Sequence, residues 1–507
     1  MNARRAMLAL ALLWGCSDDA VTPPAALDVA ATDATAAEDV VRVEDFTRVE
    51  DVTPAADVAR VEDITPVVDV SPFDAVVADV SLDAPSLDAP LDASLDASRD
   101  ASNDVSRDAP SDAPAGTPTH PFASHITLYT AGAIRPTVSQ ARLDALTASF
   151  YDQWKARYLH RGCTANRAYV ATLGDTSGAT VSEAHGYGML VTVYMAGHDP
   201  EAHANFDALT RYYQDHPSRY TASLMAWAQD ATCRNIMGAD SATDGDLDVA
   251  YALLLADRQW GSRGSIDYAT LARRVIAGIL SGDVHPTAST LLTGDAAMTT
   301  ADRDGTRLSD FMPDHLRAFA SASGVARWTA VLDREYQIVA TLQREQTMSA
   351  LGIPTGLLPD FAVGMNAGRP TPAPPRWLEG PDDGAYSWNA CRTPWRIAMD
   401  WLLHGDARSR AAVETMNTWV RRATSERPDR IMSGYSLAGV RLNGASAGEL
   451  AFVAPFAVSA TVDARHQAWL DALWTAVTTP TLASQAYFSN TIRMLSMIVV
   501  SGNAWAP

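Results

Sequence analysis

Residues 241–260 read SATDGDLDVAYALLLADRQW and decide the fold. Apolar residues recur at three- and four-residue steps through the second half, which predicts an amphipathic helix ending near Trp260. Asp244, Asp246 and Asp248 alternate where this helix begins. Asp246 could cap the helix, but capping does not require three carboxylates. Because crowded carboxylates repel one another, the pattern favours a catalytic or sugar-binding site.

Alternating aspartates are also typical of calcium loops, but this stretch does not fit one. Ala242 stands where a third-position ligand should be, and Tyr251 stands where the closing Glu should be. The chain has no Cys-x-x-Cys pair and no His-rich ligand spacing, so a structural zinc is not expected either. We therefore expect neither a metal nor an organic cofactor.

Two more segments carry reactive side chains. Residues 182–190, SEAHGYGML, put Glu183 before two glycines and an apolar run, although an acidic residue is also simply favourable at a helix N-terminus. Residues 377–396, WLEGPDDGAYSWNACRTPWR, set aromatics, acids and arginines side by side. Aromatic faces stack on sugar rings and carboxylates bind hydroxyls, which favours a sugar site. The alternative is a buried aromatic corner with a structural Arg.

From about residue 119 to 507 the apolar spacing is mainly helical, and strand-like alternation is scarce. We count roughly a dozen helical segments, which predicts an all-α domain built as a bundle or a helical barrel. Residues 352–388 are rich in proline and irregular. A structureless loop of this length in a compact domain is usually functional.

These three segments, in this order, resemble glycoside hydrolase family 8. The family signature reads Ala, Ser or Thr, Asp, Gly or Ala, Asp and an apolar helix closing on Trp or Phe. Residues 242–260 depart from it only at Val249, where Ile or Met is usual. The resemblance extends over about residues 125–505. It implies an (α/α)6 barrel of six inner and six outer helices, a substrate cleft across its end, and hydrolysis with inversion at the anomeric carbon.

The resemblance also implies roles for single residues. Glu183 matches the family's general acid. Asp244 matches the Asp that holds and distorts the sugar at the cleavage point, and Arg392 matches an Arg beside the scissile sugar.

Asn389 stands where many family members carry an Asp as general base, and an amide cannot accept the proton from water. A branch of the family that includes chitosanases and lichenases also has Asn here and supplies a Glu from an inserted loop. Glu379, at the end of the proline-rich stretch, fits that base. Weaker candidates for the same role are Asp360, Asp382 and Asp383.

An inverting pair needs room for a water molecule, so we expect the Glu183 and Glu379 carboxyls to lie roughly 6.5–9.5 Å apart. Glu183 needs a raised pKa to stay protonated near neutrality, and the nearby charge of Asp244 would raise it. The aromatic platforms that we expect to bind sugar rings are Tyr187, Trp227, Trp377 and Trp388.

Residues 1–16 predict export. Arg4 and Arg5 precede an apolar run, and the sequence around Cys16 resembles a bacterial lipoprotein box, in which the Cys is lipidated. An ordinary signal peptide is the alternative. No later stretch reaches the roughly 20 apolar residues of a membrane span. The sequence therefore predicts a protein anchored at the outer membrane or cell surface, or otherwise secreted.

Residues 17–117 carry 24 acidic residues against five arginines, which accounts for most of the net charge of −21. Such an acidic, repetitive segment predicts a disordered spacer, or otherwise a solubilising tail. Residues 118–507 then form a nearly neutral catalytic domain, for which we expect no nucleic-acid partner. In an oxidising compartment Cys163 and Cys233 could pair, leaving Cys391 as a buried thiol.

The leading functional hypothesis is an endo-acting β-1,4-glycanase on glucans such as lichenan or soluble cellulose. A chitosanase is the nearest alternative, but a cationic polymer favours an acidic cleft, and this domain is close to neutral. A reducing-end xylanase fits the inserted loop less well. Asn389 also motivates a non-catalytic carbohydrate-binding surface protein. In each case a polysaccharide is the partner, and we expect a monomer.

Overall fold

The computed structural model describes residues 117–176 and 178–507. The predicted signal segment, the lipoprotein box at Cys16 and the acidic spacer up to residue 116 lie outside the described residues. Twelve α-helices form the framework of the described part. In chain order they are α1 (Gln140–Tyr158), α2 (Ser182–Tyr194), α3 (Ala202–Asp215), α4 (Thr243–Trp260), α5 (Tyr268–Gly282), α6 (Pro313–Ser323), α7 (Arg327–Arg344), α8 (Thr393–His404), α9 (Ala407–Ala423), α10 (Leu450–Ala460), α11 (Gln467–Thr478) and α12 (Tyr487–Val500).

The helices alternate between an inner and an outer ring. The six even-numbered helices pack against one another in sequence, and α12 closes the ring against α2. Nearly every residue of α2, α4, α10 and α12 is buried, as expected of helices surrounded by other helices. Each odd-numbered helix buries one face and exposes the other. The predicted (α/α)6 barrel is thereby confirmed.

Seven short strands lie in the loops between helices. They are β1 (Leu159–Arg161), β2 (Ala168–Val170), β3 (Thr180–Val181), β4 (Ala228–Gln229), β5 (Gly305–Arg307), β6 (Phe361–Val363) and β7 (Thr371–Pro372). All pairings are antiparallel: β1 with β2, β3 with β4, and β6 with both β5 and β7. The proline-rich stretch is therefore not wholly irregular, because β6 and β7 tie part of it to β5.

Two glycines bring the first turns of α2 and α4 into contact. A Cβ at Gly245 would lie 2.6 Å from the backbone carbonyl carbon of Ser182, and one at Gly186 would lie 2.7 Å from the Cβ of Asp248. The two helices therefore approach backbone to backbone. Their first turns carry Glu183 and the Asp next to Gly245, so this contact sets how close two predicted site residues lie.

Residues 119–134 close the end of the barrel at which the inner helices terminate. Backbone N–H groups of residues 119–134 donate to carbonyl oxygens at or just beyond the C-terminal ends of inner helices, namely those of Ala196, Gln259, Leu402 and Thr461. His120 also stacks on Trp505, with ring centroids 4.3 Å apart. The last carbonyls of a helix have no partner within the helix, and this segment supplies one.

Among the described residues, one disulfide joins Cys163 and Cys233, and Cys391 is a buried thiol that contacts the carbonyl oxygen of Trp388. Over residues 117–176 and 178–507, no helix combines the length and apolarity needed to cross a bilayer.

Gly245→Ala tests the contact between α2 and α4. Alanine normally stabilises a helix relative to glycine by about 1 kcal/mol. Here the added methyl group meets the Ser182 backbone, so we expect a loss of about 1–3 kcal/mol in the free energy of unfolding. Urea unfolding followed by circular dichroism measures it. The control is Gly264→Ala, where the added methyl meets open space. Equal stability of the two variants would contradict the contact.

Candidate active site

A cleft of about 530 Å³ opens at the end of the barrel where inner helices begin. Glu183 is the second residue of α2, Asp244 lies in the first turn of α4, and Tyr487 is the first residue of α12. All three line the cleft. The N-terminus of a helix carries a partial positive charge, so carboxylates are favourable at these positions.

Arg392, the last residue before α8, lies at the floor of the cleft with a side chain that is 1% exposed. Its Nη1 donates to Glu183 Oε2 at 2.7 Å and to Asp244 Oδ2 at 2.8 Å. Its Nη2 donates to Asn389 Oδ1 at 2.9 Å and to Ser309 Oγ at 2.8 Å. One guanidinium therefore joins residues from α2, α4 and the segment before α8.

Glu379 reaches the same cleft from the proline-rich loop. Asn389 Nδ2 donates to Glu379 Oε2 at 2.8 Å. The carboxylate of Asp383 accepts from the backbone N–H groups of residues 378, 379 and 380, at 2.7, 3.1 and 2.7 Å, and so fixes the loop that presents Glu379. The contacts from Glu183 through Arg392 and Asn389 to Glu379 are continuous.

Arg307, on β5, was missed by the sequence analysis. Its Nη1 lies 3.4 Å from Asp244 Oδ1, and its Nη2 lies 3.7 Å from Glu379 Oε1. The residue belongs to a three-residue strand outside the three segments that carry the motifs. The available signal in the sequence was weak: Arg307 and Asp310 are two charged residues three positions apart, with the apolar Leu308 between them.

The carboxyls of the cleft have different acidities. Burial raises the pKa of Glu183 to about 7, against the charge of Arg392, and the charge of Asp244 adds to the rise. Burial would also raise the pKa of Asp244, but Arg307 and Arg392 outweigh it and lower the pKa to about 2. Burial raises the pKa of Glu379, while Arg307 and the hydrogen bond from Asn389 pull it down. Asp244 is therefore ionised beside a Glu183 that can hold a proton near neutrality.

The three alternating aspartates do not share one site. Asp246 accepts from the backbone N–H of Met225 at 3.0 Å, so the expectation that it caps α4 is wrong. Asp248 accepts from Arg396 Nη1 at 2.8 Å and contacts His315 Nε2 at 3.0 Å, inside the barrel. Of the three, Asp244 alone lines the cleft, because successive residues of a helix point in different directions.

Two of the four predicted aromatic platforms reach the cleft, namely Trp227 and Trp388. Tyr187 is fully buried, and Arg392 Nη1 contacts its hydroxyl at 3.2 Å. The prediction that its ring stacks on a sugar is wrong, because it has no exposed face. Trp377 packs on Phe361, with ring centroids 5.4 Å apart, and does not line the cleft.

The weaker candidates for a base do not line the cleft either. Asp360 Oδ1 accepts from the backbone N–H groups of residues 387, 389 and 390, at 3.1, 3.1 and 2.6 Å, and so holds the turn that carries Asn389. Asp383 binds the loop backbone, and Asp382 lies away from the cleft. Of the four loop candidates, only Glu379 reaches the cleft.

The lining of the cleft is acidic although the whole domain is close to neutral. Seven carboxyl residues line it against two arginines. The carboxyl residues are Asp175, Glu183, Asp240, Asp244, Asp302, Glu379 and Glu449. Within the described residues, no group of three or more His, Cys, Asp or Glu side chains is arranged to hold a metal ion.

The part of the chain that forms this cleft matches a known family. The model of the family described as "Glycosyl hydrolases family 8" matches residues 128–502, which include every residue of the cleft named above. The chain belongs to glycosyl hydrolase family 8. The suspected family is thereby confirmed, and a glycosyl hydrolase of this family is an enzyme rather than only a binding protein.

Among family 8 relatives, a β-glucanase from Niallia circulans is 45% identical over 389 residues, which cover 76% of this chain and 92% of the relative. An endoglucanase from Bacillus sp. (strain KSM-330) is 33% identical, with 74% and 80% covered. The apo structure of a β-1,3-1,4-glucanase from Paenibacillus sp. X4 superposes with a TM-score of 0.72 at 43% identity and covers 77% of this chain and all of that one.

The alkaline side of the pH profile tests the pKa of Glu183. A general acid must be protonated, so kcat/KM on a soluble polysaccharide should fall as the pH rises through about 7. Asp244→Asn removes a negative charge that raises this pKa, so the fall should begin at a lower pH. Initial rates across the pH range measure both. The control is Asp333→Asn, which removes an exposed carboxylate paired with Arg408. An alkaline side that does not move in Asp244→Asn would contradict the assignment.

Proposed function

We propose that this chain is an exported endo-β-glucanase that cleaves β-1,4-glycosidic bonds in glucans such as lichenan or soluble cellulose, with inversion. The observation that carries the proposal is the pair of cleft carboxyls, Glu183 and Glu379, held in one network by Arg392 and Asn389. The β-glucanase at 45% identity and the β-1,3-1,4-glucanase at 43% identity support β-glucan as the substrate.

Glu183 acts as the general acid in this mechanism. Its pKa of about 7 leaves much of it protonated near neutrality, so it can donate to the leaving glycosidic oxygen. Asp244 stays ionised next to it, and its charge opposes early loss of the proton. Asp244 lines the cleft and offers a hydrogen-bond acceptor for the sugar ring at the point of cleavage, while Arg392 holds its carboxylate in place.

Glu379 acts as the general base. Ionised, it takes a proton from a water molecule, and that water attacks the anomeric carbon from the face opposite the leaving group. Asn389 cannot take this proton, but its amide donates to Glu379 Oε2 and orients the carboxylate. We expect the two carboxyls to lie roughly 6.5–9.5 Å apart with the water between them. The products then have inverted anomeric configuration.

Chitosan is the second candidate polymer, because the lining of the cleft has an excess of carboxyl residues over arginines. The names of the relatives above, a β-glucanase and an endoglucanase, favour glucan instead. A glucan chain requires neutral hydroxyl contacts, whereas each glucosamine of chitosan brings a positive charge.

Glu183→Gln and Glu379→Gln test the two roles. Each variant keeps the shape of the side chain and removes its proton transfer, which contributes about 10²–10⁴-fold to the rate. We expect release of reducing sugar from lichenan to fall by about that factor in each, while circular dichroism shows both variants folded at the assay temperature. The matched control is Glu345→Gln, an exposed glutamate paired with Arg344. Near-normal turnover by Glu379→Gln would make its assignment as base wrong.

A panel of polymers tests the substrate. The wild-type chain is assayed on lichenan, carboxymethyl cellulose, chitosan and xylan, with reducing sugar as the readout. Viscosity should fall early on lichenan, as endo-cleavage requires, and proton NMR of the first products should show the inverted anomer. Preference for chitosan would identify a chitosanase instead, and sugar release from none of the four would contradict the proposed function.

We further propose that the protein is lipidated at Cys16 and held at the outer membrane or cell surface. The support is the sequence of residues 1–16 alone. Metabolic labelling with a fatty acid should mark the wild-type protein in the membrane fraction, and Cys16→Ser should abolish the label. Cys391→Ser is the control. Unlabelled wild-type protein in the culture medium would indicate an ordinary secreted enzyme.

A further inference from the structure

The side chain of Arg307 contacts carboxyls from three separate parts of the barrel. It lies 3.4 Å from Asp244 of α4, 3.7 Å from Glu379 of the loop and 3.7 Å from Asp310 of the turn before α6. The side chain is 8% exposed and lines the cleft. These three ion pairs place the guanidinium among carboxyls of opposite charge.

The backbone that carries Arg307 is tied to the loop that carries the predicted base. Arg307 pairs with Phe361 in the register of β5 and β6, and its guanidinium lies 5.6 Å from the centre of the Phe361 ring. The carbonyl of Asp383 accepts from the backbone N–H of Phe361 at 2.9 Å, and the Asp383 carboxylate holds the Glu379 backbone. The distance from Arg307 to Glu379 is therefore set by backbone pairing as well as by charge.

The two arginines of the cleft share Asp244, but each has a second carboxyl of its own. Arg392 contacts Glu183 and Asp244, and it is the main charge that lowers the pKa of Glu183. Arg307 contacts Asp244 and Glu379, and it is the main charge that lowers the pKa of both. Asp244 is shared, so it links the acid side of the cleft to the base side.

We propose that Arg307 is a positioning residue that holds the Glu379 carboxylate at a set distance from Asp244 and supplies it with a cationic neighbour. This inference rests on the proposed function, in which Glu379 is the base. Arg307 acts through Glu379 and need not touch the reacting atoms. The competing interpretation is purely structural: Arg307 neutralises the buried Asp310 and has no effect on Glu379.

The experiment compares Arg307→Gln and Arg307→Lys with Arg303→Gln in the full chain. Arg303 lies in the turn just before β5, where its Nε contacts His285 rather than the cleft, so it serves as the matched control. The chain has twelve glutamates, so selective ¹³C labelling of their carboxyls and NMR titration resolves single groups. The Glu379 signal is assigned by its loss in Glu379→Gln. Melting temperatures and kcat/KM on lichenan against pH are measured on the same samples.

Loss of the Arg307 charge disfavours the ionised form of Glu379, so its titration should move upward by about one pH unit in Arg307→Gln. The acidic side of the kcat/KM profile should move upward with it, because the base must be ionised. In Arg307→Lys, Glu379 should titrate at nearly the wild-type pH, because a positive charge is again present. The kcat should stay below the wild-type value, because one ammonium group cannot reach the carboxylates of both Asp244 and Glu379. Arg303→Gln should match the wild type in both measurements.

An unmoved Glu379 titration in folded Arg307→Gln would overturn the inference, whatever the effect on melting temperature. Should Arg307→Gln fail to fold, Arg307→Lys decides the question, and a wild-type kcat in that variant would overturn it. The positioning role of Arg307 and the proposed function can be contradicted independently of each other. If the titration of Glu379 shifts in Arg307→Gln but the wild type hydrolyses no polymer, the proposed function is contradicted and the contact between Arg307 and Glu379 is supported.

Discussion

The buried guanidinium of Arg392 is the interaction on which the cleft depends. A buried charge is tolerated only when it is paired and hydrogen-bonded, and this one contacts two carboxylates, an amide oxygen and a hydroxyl. Those partners come from α2, α4 and the segments before α6 and α8. Removing one partner of such a buried pair typically costs about 3–5 kcal/mol, because the other charge is left uncompensated. The barrel and the site therefore stabilise one another.

The contact between α2 and α4 supplies the other constraint. Because glycines face the neighbouring backbone at the first turns, Glu183 and Asp244 are held next to each other at the positive ends of two helices. Asp244 is ionised by two arginines while Glu183 keeps a pKa near 7. Two neighbouring carboxyls thus differ in protonation because one has two cationic partners and the other has one.

Helical periodicity predicted an all-α bundle or helical barrel, and the family resemblance implied the (α/α)6 barrel. The resemblance also led to Glu183, Asp244, Arg392, Asn389 and Glu379, all of which line the cleft. Their catalytic roles stay predictions. Sequence spacing could not separate the three alternating aspartates, because which of them faces the cleft depends on how α4 is rotated in the barrel. Asp248 instead pairs with Arg396, 148 residues away.

The wrong prediction for Tyr187 and the omission of Arg307 have a similar cause, because both depend on contacts between distant parts of the chain. Tyr187 lies one turn after Glu183 on the same helix, so its neighbourhood was predicted correctly, but its burial depends on packing against Arg392 and Trp395. Arg307 was missed because a three-residue strand has no periodicity, and its importance comes entirely from the pairing of β5 with β6. The net charge of the whole domain also did not indicate the excess of carboxyl residues in the cleft, because a net charge sums groups that lie far from the cleft.

The segment at residues 119–134 runs across the C-terminal ends of inner helices, while the cleft opens at their N-terminal ends. Residue 119 lies at the closed end of the barrel, because its backbone N–H donates to the carbonyl oxygen of Gln259 in α4. A support or a fusion partner joined directly to the start of this barrel would therefore attach on the side away from the cleft. Long polymer strands could then cross the mouth of the barrel without meeting the point of attachment.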